Sequence, residues 1–343
     1  MRKLLNTLFV TQPEVYLTLD GDNIVLLKES ERIGRVPLHN LEAIVTFGHS
    51  GASPALMGYC AERNKSITFL NRNGRFLARV IGSSKGNVIL RKKQYRISDS
   101  EEQSALIARN FILGKVYNNR WIIERMTRDH GLRIDVEKFK EVSENLSKIM
   151  NEIRVCDNLD SLRGWEGQAA SYYYSLFNDM ILQQNEDFYF HGRSRRPPLD
   201  KVNAMLSFAY TMLANEVGAA LESVGLDAYV GFLHRDRPGR ISLALDLMEE
   251  LRGIYADRFV LTLINKKIIK KEHFNIKENG AVLLTEEGRK EFLLQWHKKK
   301  HDKITHPYLQ EKIQWGLLPY AQALLLARYL RDDLDEYPPF LWK

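Results

Sequence analysis

The sequence predicts an α+β protein, with a small N-terminal β-sheet domain followed by a larger all-α catalytic domain. Three observations carry this. Short runs of Val, Ile, Leu and aromatics, parted by turn residues, fill the first third of the chain. From about Ser100 apolar residues recur at helical spacing over long segments. At 343 residues the chain is long enough for two domains, each with a core of its own. The division expected is residues 1–95 and residues 96–343.

Leu4–Phe9, Val15–Leu19 and Asn23–Leu27 read as strands, with Asp20-Gly21-Asp22-Asn23 as the turn between the last two. Arg32–Val36 and Ala43–Phe47 continue the pattern. A helix is predicted from Ser53 or Pro54 to about Asn64, because proline suits a first helical turn. Ser66–Leu70 and Arg75–Ile81 flank Asn71-Arg72-Asn73-Gly74, a hairpin signal, and Gly82-Ser83-Ser84-Lys85-Gly86 reads as a boundary loop. The helical part comprises Glu101–Thr127, the amphipathic Val136–Ile153, Gly164–Leu182, Asp200–Val224, the shorter Ala244–Leu251, and Tyr320–Leu330. Pro338-Pro339 then ends regular structure.

Composition narrows the function. No run approaches the ~18 apolar residues that span a membrane, and the opening segment reads as a strand rather than a leader. Cys60 and Cys156 make neither a disulfide framework nor a zinc ribbon, which fits a reducing cytoplasm. The net charge is +7, and its distribution matters more than its size. Between Arg63 and Ser98 lie ten basic residues and no acid, Arg91, Lys92 and Lys93 among them. Lys266, Lys267, Lys270 and Lys271 form a second cluster, and His297-Lys298-Lys299-Lys300-His301 a third. Such segments are the electrostatic footprint of a nucleic-acid partner.

The chemistry concentrates in one stretch. His234 ends the apolar run Gly231-Phe232-Leu233; a loop bearing Arg235, Arg237 and Arg240 follows; then Asp246 stands between Leu245 and Leu247. An unpaired carboxylate there costs on the order of several kcal/mol. A divalent cation shared with His234 would relieve that cost, and so would a buried polar network; both readings stand. Glu249 is three residues from Asp246 and Glu250 four, so either can share its helix face. Glu166, at the head of a helix rich in small residues, supplies a further acid. Oxygen donors with one imidazole suit Mg2+ or Mn2+. The Tyr172-Tyr173-Tyr174 run reads as packing, and the His297/His301 pair lacks further zinc ligands.

These residues carry a resemblance. Leu162-Arg163-Gly164-Trp165-Glu166-Gly167, Asn203-Ala204-Met205-Leu206-Ser207-Phe208-Ala209-Tyr210, and Gly231-Phe232-Leu233-His234 followed by Asp246-Leu247-Met248-Glu249, in that order, resemble the CRISPR-associated spacer-acquisition integrase, the larger of the two near-universal CRISPR adaptation proteins. The resemblance covers both domains. It implies a metal-dependent DNA endonuclease and integrase of the prokaryotic cytoplasm. In it Glu166, His234 and Glu249 hold the ion, Asp246 lies beside the site, and Arg235, Arg237 and Arg240 meet phosphates. It also implies double-stranded DNA partners (protospacer and CRISPR repeat), a small CRISPR-associated adaptation protein, and two dimers bridged by that small protein; the short, hydrophobic strands of residues 1–95, whose edges need cover, predict that each homodimer is joined there. On these expectations any one of the three ligands can be replaced by alanine without loss of fold. A structure-selective nuclease of branched DNA and a non-catalytic DNA-binding protein remain the alternatives.

Overall fold

The computed structural model describes residues 6–63, 65–71, 76–80, 82 and 88–342. The tip of the expected hairpin at Arg72-Asn73-Gly74 and most of the expected boundary loop, residues 83–86, lie outside the described residues, as do Arg72, Arg75 and Lys85 of the basic window. An N-terminal β-sheet region precedes a mostly helical part. The chain forms two compact units: residues 1–85 with 284–303 and 314–317, and residues 86–283 with 304–313 and 318–343.

In the first unit the strands are β1 (Thr7–Val10), β2 (Tyr16–Asp20), β3 (Asn23–Lys28), β4 (Glu31–Pro37), β5 (Ala43–Phe47), β6 (Ser66–Leu70) and β7 (Phe76–Val80). Strands β2, β3 and β4 make an antiparallel meander, and β1-β5-β6-β7 form a second sheet, parallel except for the last pair. Helix α1 (Pro54–Glu62) makes the crossover that a parallel β5–β6 pair requires. The Ser53 hydroxyl caps it by accepting from the Leu56 amide at 3.2 Å. The two sheets meet where the Leu17 amide donates to the Gly51 carbonyl and the Ser53 amide to the Leu17 carbonyl. Val15, Leu17, Ile24, Leu38, Ile44, Leu56, Cys60 and Ile67 fill the core between them.

The second unit is built on helices α2 (Val88–Ser98), α3 (Glu101–His130), α4 (Val136–Val155), α5 (Leu159–Ser175), α6 (Lys201–Ser223), α7 (Ser242–Leu251) and α8 (Arg258–Asn265), with a π-helical turn over Arg252–Asp257. Side chains of Ser100, Asp135, Asn158 and Asp200 cap α3, α4, α5 and α6. Thirty residues long, α3 packs against α4, α5 and α7. Gly114 lets it approach α7: a Cβ there would lie 2.9 Å from the Glu250 Cβ. Helix α10 (Leu318–Leu330) completes this unit, while α9 (Glu286–His301) belongs to the first. Among the described residues no helix is long and apolar enough to cross a membrane.

Three elements differ from expectation. Helix α2 runs through the boundary placed at residue 95; its five charged or amide side chains masked the helical pattern, yet Gln94 is buried and bonds the Asp227 and Val230 carbonyls at 2.8 Å each. Helix α5 starts at Leu159, because Asn158 caps it, and stops at Ser175. Helix α9 went unpredicted, although it has an N-capping Thr285, acids in its first turn and bases in its last, as the helix dipole favours. The third basic cluster is its C-terminal turn. There Lys300 is buried and donates to the Thr7 hydroxyl at 3.3 Å, while Lys299 lies over the Trp315 ring.

A C-terminal strap covers α7 and α3. The Glu250 carboxylate is buried and accepts from the Tyr337 hydroxyl at 2.5 Å, the Gln322 amide at 2.8 Å and the Phe340 backbone at 2.9 Å. Asn118 donates to the Glu250 and Phe340 carbonyls and accepts from the Trp342 amide. Burial pushes the Glu250 pKa up from 4.5 to about 7 against those hydrogen bonds. The native state therefore holds this proton more tightly than the unfolded chain. The resulting stabilisation is complete below about pH 4.5 and is lost as pH rises through about 7. It amounts to something on the order of 3 kcal/mol. Glu250→Gln, neutral at every pH, is expected to flatten the decline in urea stability between about pH 5 and about pH 7.5; an unchanged slope would clear Glu250 as its source.

Candidate active site

The His234 loop is organised by Asp246. From the second turn of α7, fully buried, its carboxylate accepts the backbone amides of Phe232 at 2.6 Å, Leu233 at 2.9 Å and His234 at 3.0 Å, and faces His234 Nδ1 at 2.5 Å. Four donors fill the acceptor sites of a carboxylate. Asp246 thus orients the imidazole through Nδ1 and leaves Nε2 as the working nitrogen. Gly231 makes room for this, since a Cβ would stand 2.7 Å from Asp246 Oδ2. From α5, Arg163 holds the loop on its other side, donating to the Leu233 carbonyl from Nη2 at 2.7 Å and Nε at 3.2 Å.

The two glutamates meet on a lysine. Glu166 from α5 and Glu249 from α7 converge on the Lys115 ammonium from α3: Glu166 Oε1 accepts a hydrogen bond from it, and Glu249 Oε2 lies 2.7 Å away. Glu249 Oε1 pairs with Arg252 at 2.6 Å. Burial would raise the Glu249 pKa, but Arg252 and Lys115 outweigh it and hold the carboxyl at about 2, with His234 acting in the same direction. Burial would likewise lower the Lys115 pKa, and Glu249 and Glu166 reverse that and raise it. Glu166 and His234 keep 29% of their side-chain surface exposed, so this charged centre opens to solvent on one side.

Among the described residues no group of three or more His, Cys, Asp and Glu side chains stands in ligating geometry; the ammonium of Lys115 takes the position between the glutamates. The donor set nonetheless fits a hard divalent cation. Two carboxylates from separate helices already turn toward one positive point, and Glu249 Oε2 accepts no aligned hydrogen bond. Glu166, Glu249 and His234 are the residues that would hold it. Asp246, fully engaged, is not, and Glu250, expected as a possible companion, points into the C-terminal strap.

Sequence reasoning missed the surrounding shell. Arg252 lies over the Tyr210 ring at 4.8 Å, Tyr210 donates to buried Asp257, and Tyr174 bonds Tyr210 at 2.8 Å. Arg193 stacks on the same ring at 5.1 Å and donates to Asn203 Oδ1 at 2.6 Å. These contacts explain the Asn203…Tyr210 pattern: Asn203 ties α6 to the 192–194 loop, and Tyr210 ties it to the turn that follows α7. Tyr173 packs in the core as expected, against Tyr174 and Phe177. Lys115 had a readable signal, a lysine within the apolar run Phe111-Ile112-Leu113-Gly114-Lys115-Val116, the same anomaly that marked Asp246.

The basic residues divide. Arg235 and Arg237 are exposed beside His234, Arg235 lying 3.8 Å from Asp160. Arg240 instead braces the loop through the Ser242 hydroxyl at 3.2 Å. On α2, Lys92 is exposed, whereas Arg91 donates to the Gly225 carbonyl and Lys93 pairs with Asp332.

An N-terminal β unit followed by a helical unit is a class of fold with solved members. A casposase bound to an integration product shares the fold at a TM-score of 0.83, with 21% identity over 97% of this chain and 93% of the other. A Cas6-RT-Cas1–Cas2 complex shares it at 0.81, with 22% identity over 100% of this chain and 37% of that one. Within that class the chain belongs to the family of the CRISPR associated protein Cas1, whose model matches residues 8–298. It is 48% identical to CRISPR-associated endonuclease Cas1 2 of Rhodospirillum rubrum and 45% identical to CRISPR-associated endonuclease Cas1 1 of Chlorobaculum tepidum, each over the full length of both chains.

Gly231→Ala tests the loop geometry. Forcing a methyl against Asp246 is expected to cost about 2 kcal/mol or more, in line with other overpacked sites. A urea midpoint equal to that of wild type would show that the backbone there has room to yield.

Proposed function

We propose that the protein is a divalent-metal-dependent DNA endonuclease and integrase that inserts short duplex DNA, as new spacers, into a CRISPR array. The observation that carries this is the convergence of Glu166 and Glu249 on one cation position beside an imidazole fixed by Asp246. Mg2+ or Mn2+ held by Glu166, Glu249 and His234 Nε2 would supply Lewis-acid polarisation of a phosphoryl oxygen. In strand transfer a 3′-hydroxyl of the incoming duplex forms a bond to phosphorus at the edge of a repeat. The bond to the leaving 3′-oxygen breaks, and that oxygen takes up a proton as the attacking hydroxyl releases one. Hydrolysis differs only in using water.

The chain's own residues supply orientation and charge. Asp246 keeps Nε2 turned to its task, Arg163 stops the loop from drifting, and Arg235 and Arg237 neutralise phosphates flanking the scissile bond. Arg240, Arg91 and Lys93 contribute less to DNA than Lys92, because internal partners hold them. The DNA ligands are protospacer and repeat, and the small CRISPR-associated adaptation protein joins two dimers in the prokaryotic cytoplasm. A homodimer formed through the N-terminal unit is supported by exposed Ile33 on β4 and by Phe76 and Leu77 on β7, both edge strands that a second copy would cover.

One structural feature revises the mutational test. Glu249 is the partner of two buried cations, so alanine there strands both, at a cost of about 3–5 kcal/mol for an unpaired buried charge. Glu249→Gln is the informative variant. Glu166→Ala, His234→Ala and Glu249→Gln are each expected to reduce Mn2+-dependent cleavage and strand transfer at least 100-fold while duplex affinity stays within a few-fold. Near-wild-type turnover in any of them at saturating Mn2+ removes that residue from the ion's ligands.

Duplex binding should be steeply salt-dependent, with a log–log slope of about −0.9 per phosphate neutralised. Arg235→Ala and Arg237→Ala should each shallow that slope by about one contact. A flat response between 50 and 200 mM salt, measured by fluorescence anisotropy, would rule out these segments as the DNA surface.

A further inference from the structure

Lys115 is 5% exposed, sits in the middle of α3, and places its ammonium between the carboxylates of Glu166 and Glu249. We propose that Lys115 is a resident counter-ion that occupies, in the free protein, the position a divalent cation takes only when a DNA phosphate arrives with it. This rests on the reading that Glu166, His234 and Glu249 are metal ligands.

The argument is one of charge in a space that water reaches from one side only. Glu166 and Glu249 carry two negative charges, and Lys115 and Arg252 carry two positive ones, so these four groups balance one another. A dication added to them would leave an excess of two positive charges among these groups, screened by water from one side only. A phosphodiester brings negative charge to the same place. Ion and DNA should therefore bind together, each raising the affinity for the other by the same factor.

The side chain suits the role. Lysine is a compact ammonium on a flexible four-carbon stem, able to withdraw from between two carboxylates and turn toward a phosphate without moving its helix. Arg252 is not so free, since its planar guanidinium is held by Glu249 Oε1 and by the Tyr210 ring. A nuclease built this way carries no armed ion until substrate is present.

The test is Mn2+ binding, read from the electron paramagnetic resonance signal of free Mn2+, with the full-length protein alone and with a short duplex blocked at both 3′ ends. The site-specific component is the part that His234→Ala abolishes. Wild type should bind Mn2+ weakly alone and at least tenfold more tightly with duplex. Lys115→Met should bind it alone at least tenfold more tightly than wild type, about 1.4 kcal/mol, with the effect of duplex correspondingly smaller. Lys115→Arg, which keeps the charge, should follow wild type. If Lys115→Met unfolds in chelator, Mn2+ should refold it; failure to do so counts against the counter-ion. Wild type that gains Mn2+ affinity with duplex, beside a Lys115→Met that binds the ion no better alone, overturns the inference and leaves the metal site standing. No His234-dependent Mn2+ binding in any sample overturns both.

Discussion

The pairing of Glu249 with Lys115 and Arg252 is the constraint on which the helical unit depends. Three helical segments each bring a charge into a space with little water, and none of those charges is tolerable alone. Helix α3 must place Lys115 opposite α7, and Gly114 one residue earlier removes the side chain that would hold the two helices apart. The turn after α7 must place Arg252 one helical turn beyond Glu249. The π-helical stretch Arg252–Asp257 follows at once, and it carries Arg252 over the Tyr210 ring and Asp257 to the Tyr210 hydroxyl. Local widening of a helix is common at functional sites, where regular spacing would misplace a side chain.

Helix α7 shows how one face is divided among three acids. Asp246 turns back to the His234 loop and is spent on four N–H donors. Glu249, three residues on, faces α3 and α5 and keeps its charge because two cations outweigh its burial. Glu250, the next residue, faces the C-terminal strap, where only neutral hydrogen-bond donors meet it, and burial wins: its pKa rises to about 7 while that of Glu249 falls to about 2. Adjacent carboxylates thus differ by several pKa units for a plain reason, the presence or absence of a nearby cation.

Much of this was legible from residue order alone. The strands β5 and β6 match their expected bounds, because a short run rich in β-branched and aromatic residues has few alternatives. The long helices were legible from periodicity. Glu166, His234, Asp246 and Glu249 were visible as charged groups in apolar settings. What sequence could not assign was direction. Helical spacing places Asp246, Glu249 and Glu250 on one side of α7, but their separation into a histidine-orienting acid, a cation partner and a strap anchor depends on α3, on the loop 231–234 and on residues 337–342, all distant in sequence. Lys115 and Arg252 lie outside the basic clusters that composition picks out, and it is the structure that pairs both with Glu249 in the interior. Helix α2 was hidden because a run of basic and amide side chains interrupts its apolar residues.

The same directionality governs which basic residues remain available to a ligand. Composition counts Arg235, Arg237 and Arg240 alike, yet the last is committed to Ser242 and helps close the loop that presents the other two. On α2 the pair with Asp332 and the bond to the Gly225 carbonyl do for Lys93 and Arg91 what Ser242 does for Arg240. In each segment some positive charge is used internally to fix a backbone, and the charge left over is carried on an element whose position has thereby been set. A phosphate contact made from such an element loses less side-chain and loop entropy on binding than one made from an unanchored lysine. The internal bonds are therefore part of how the free cations work.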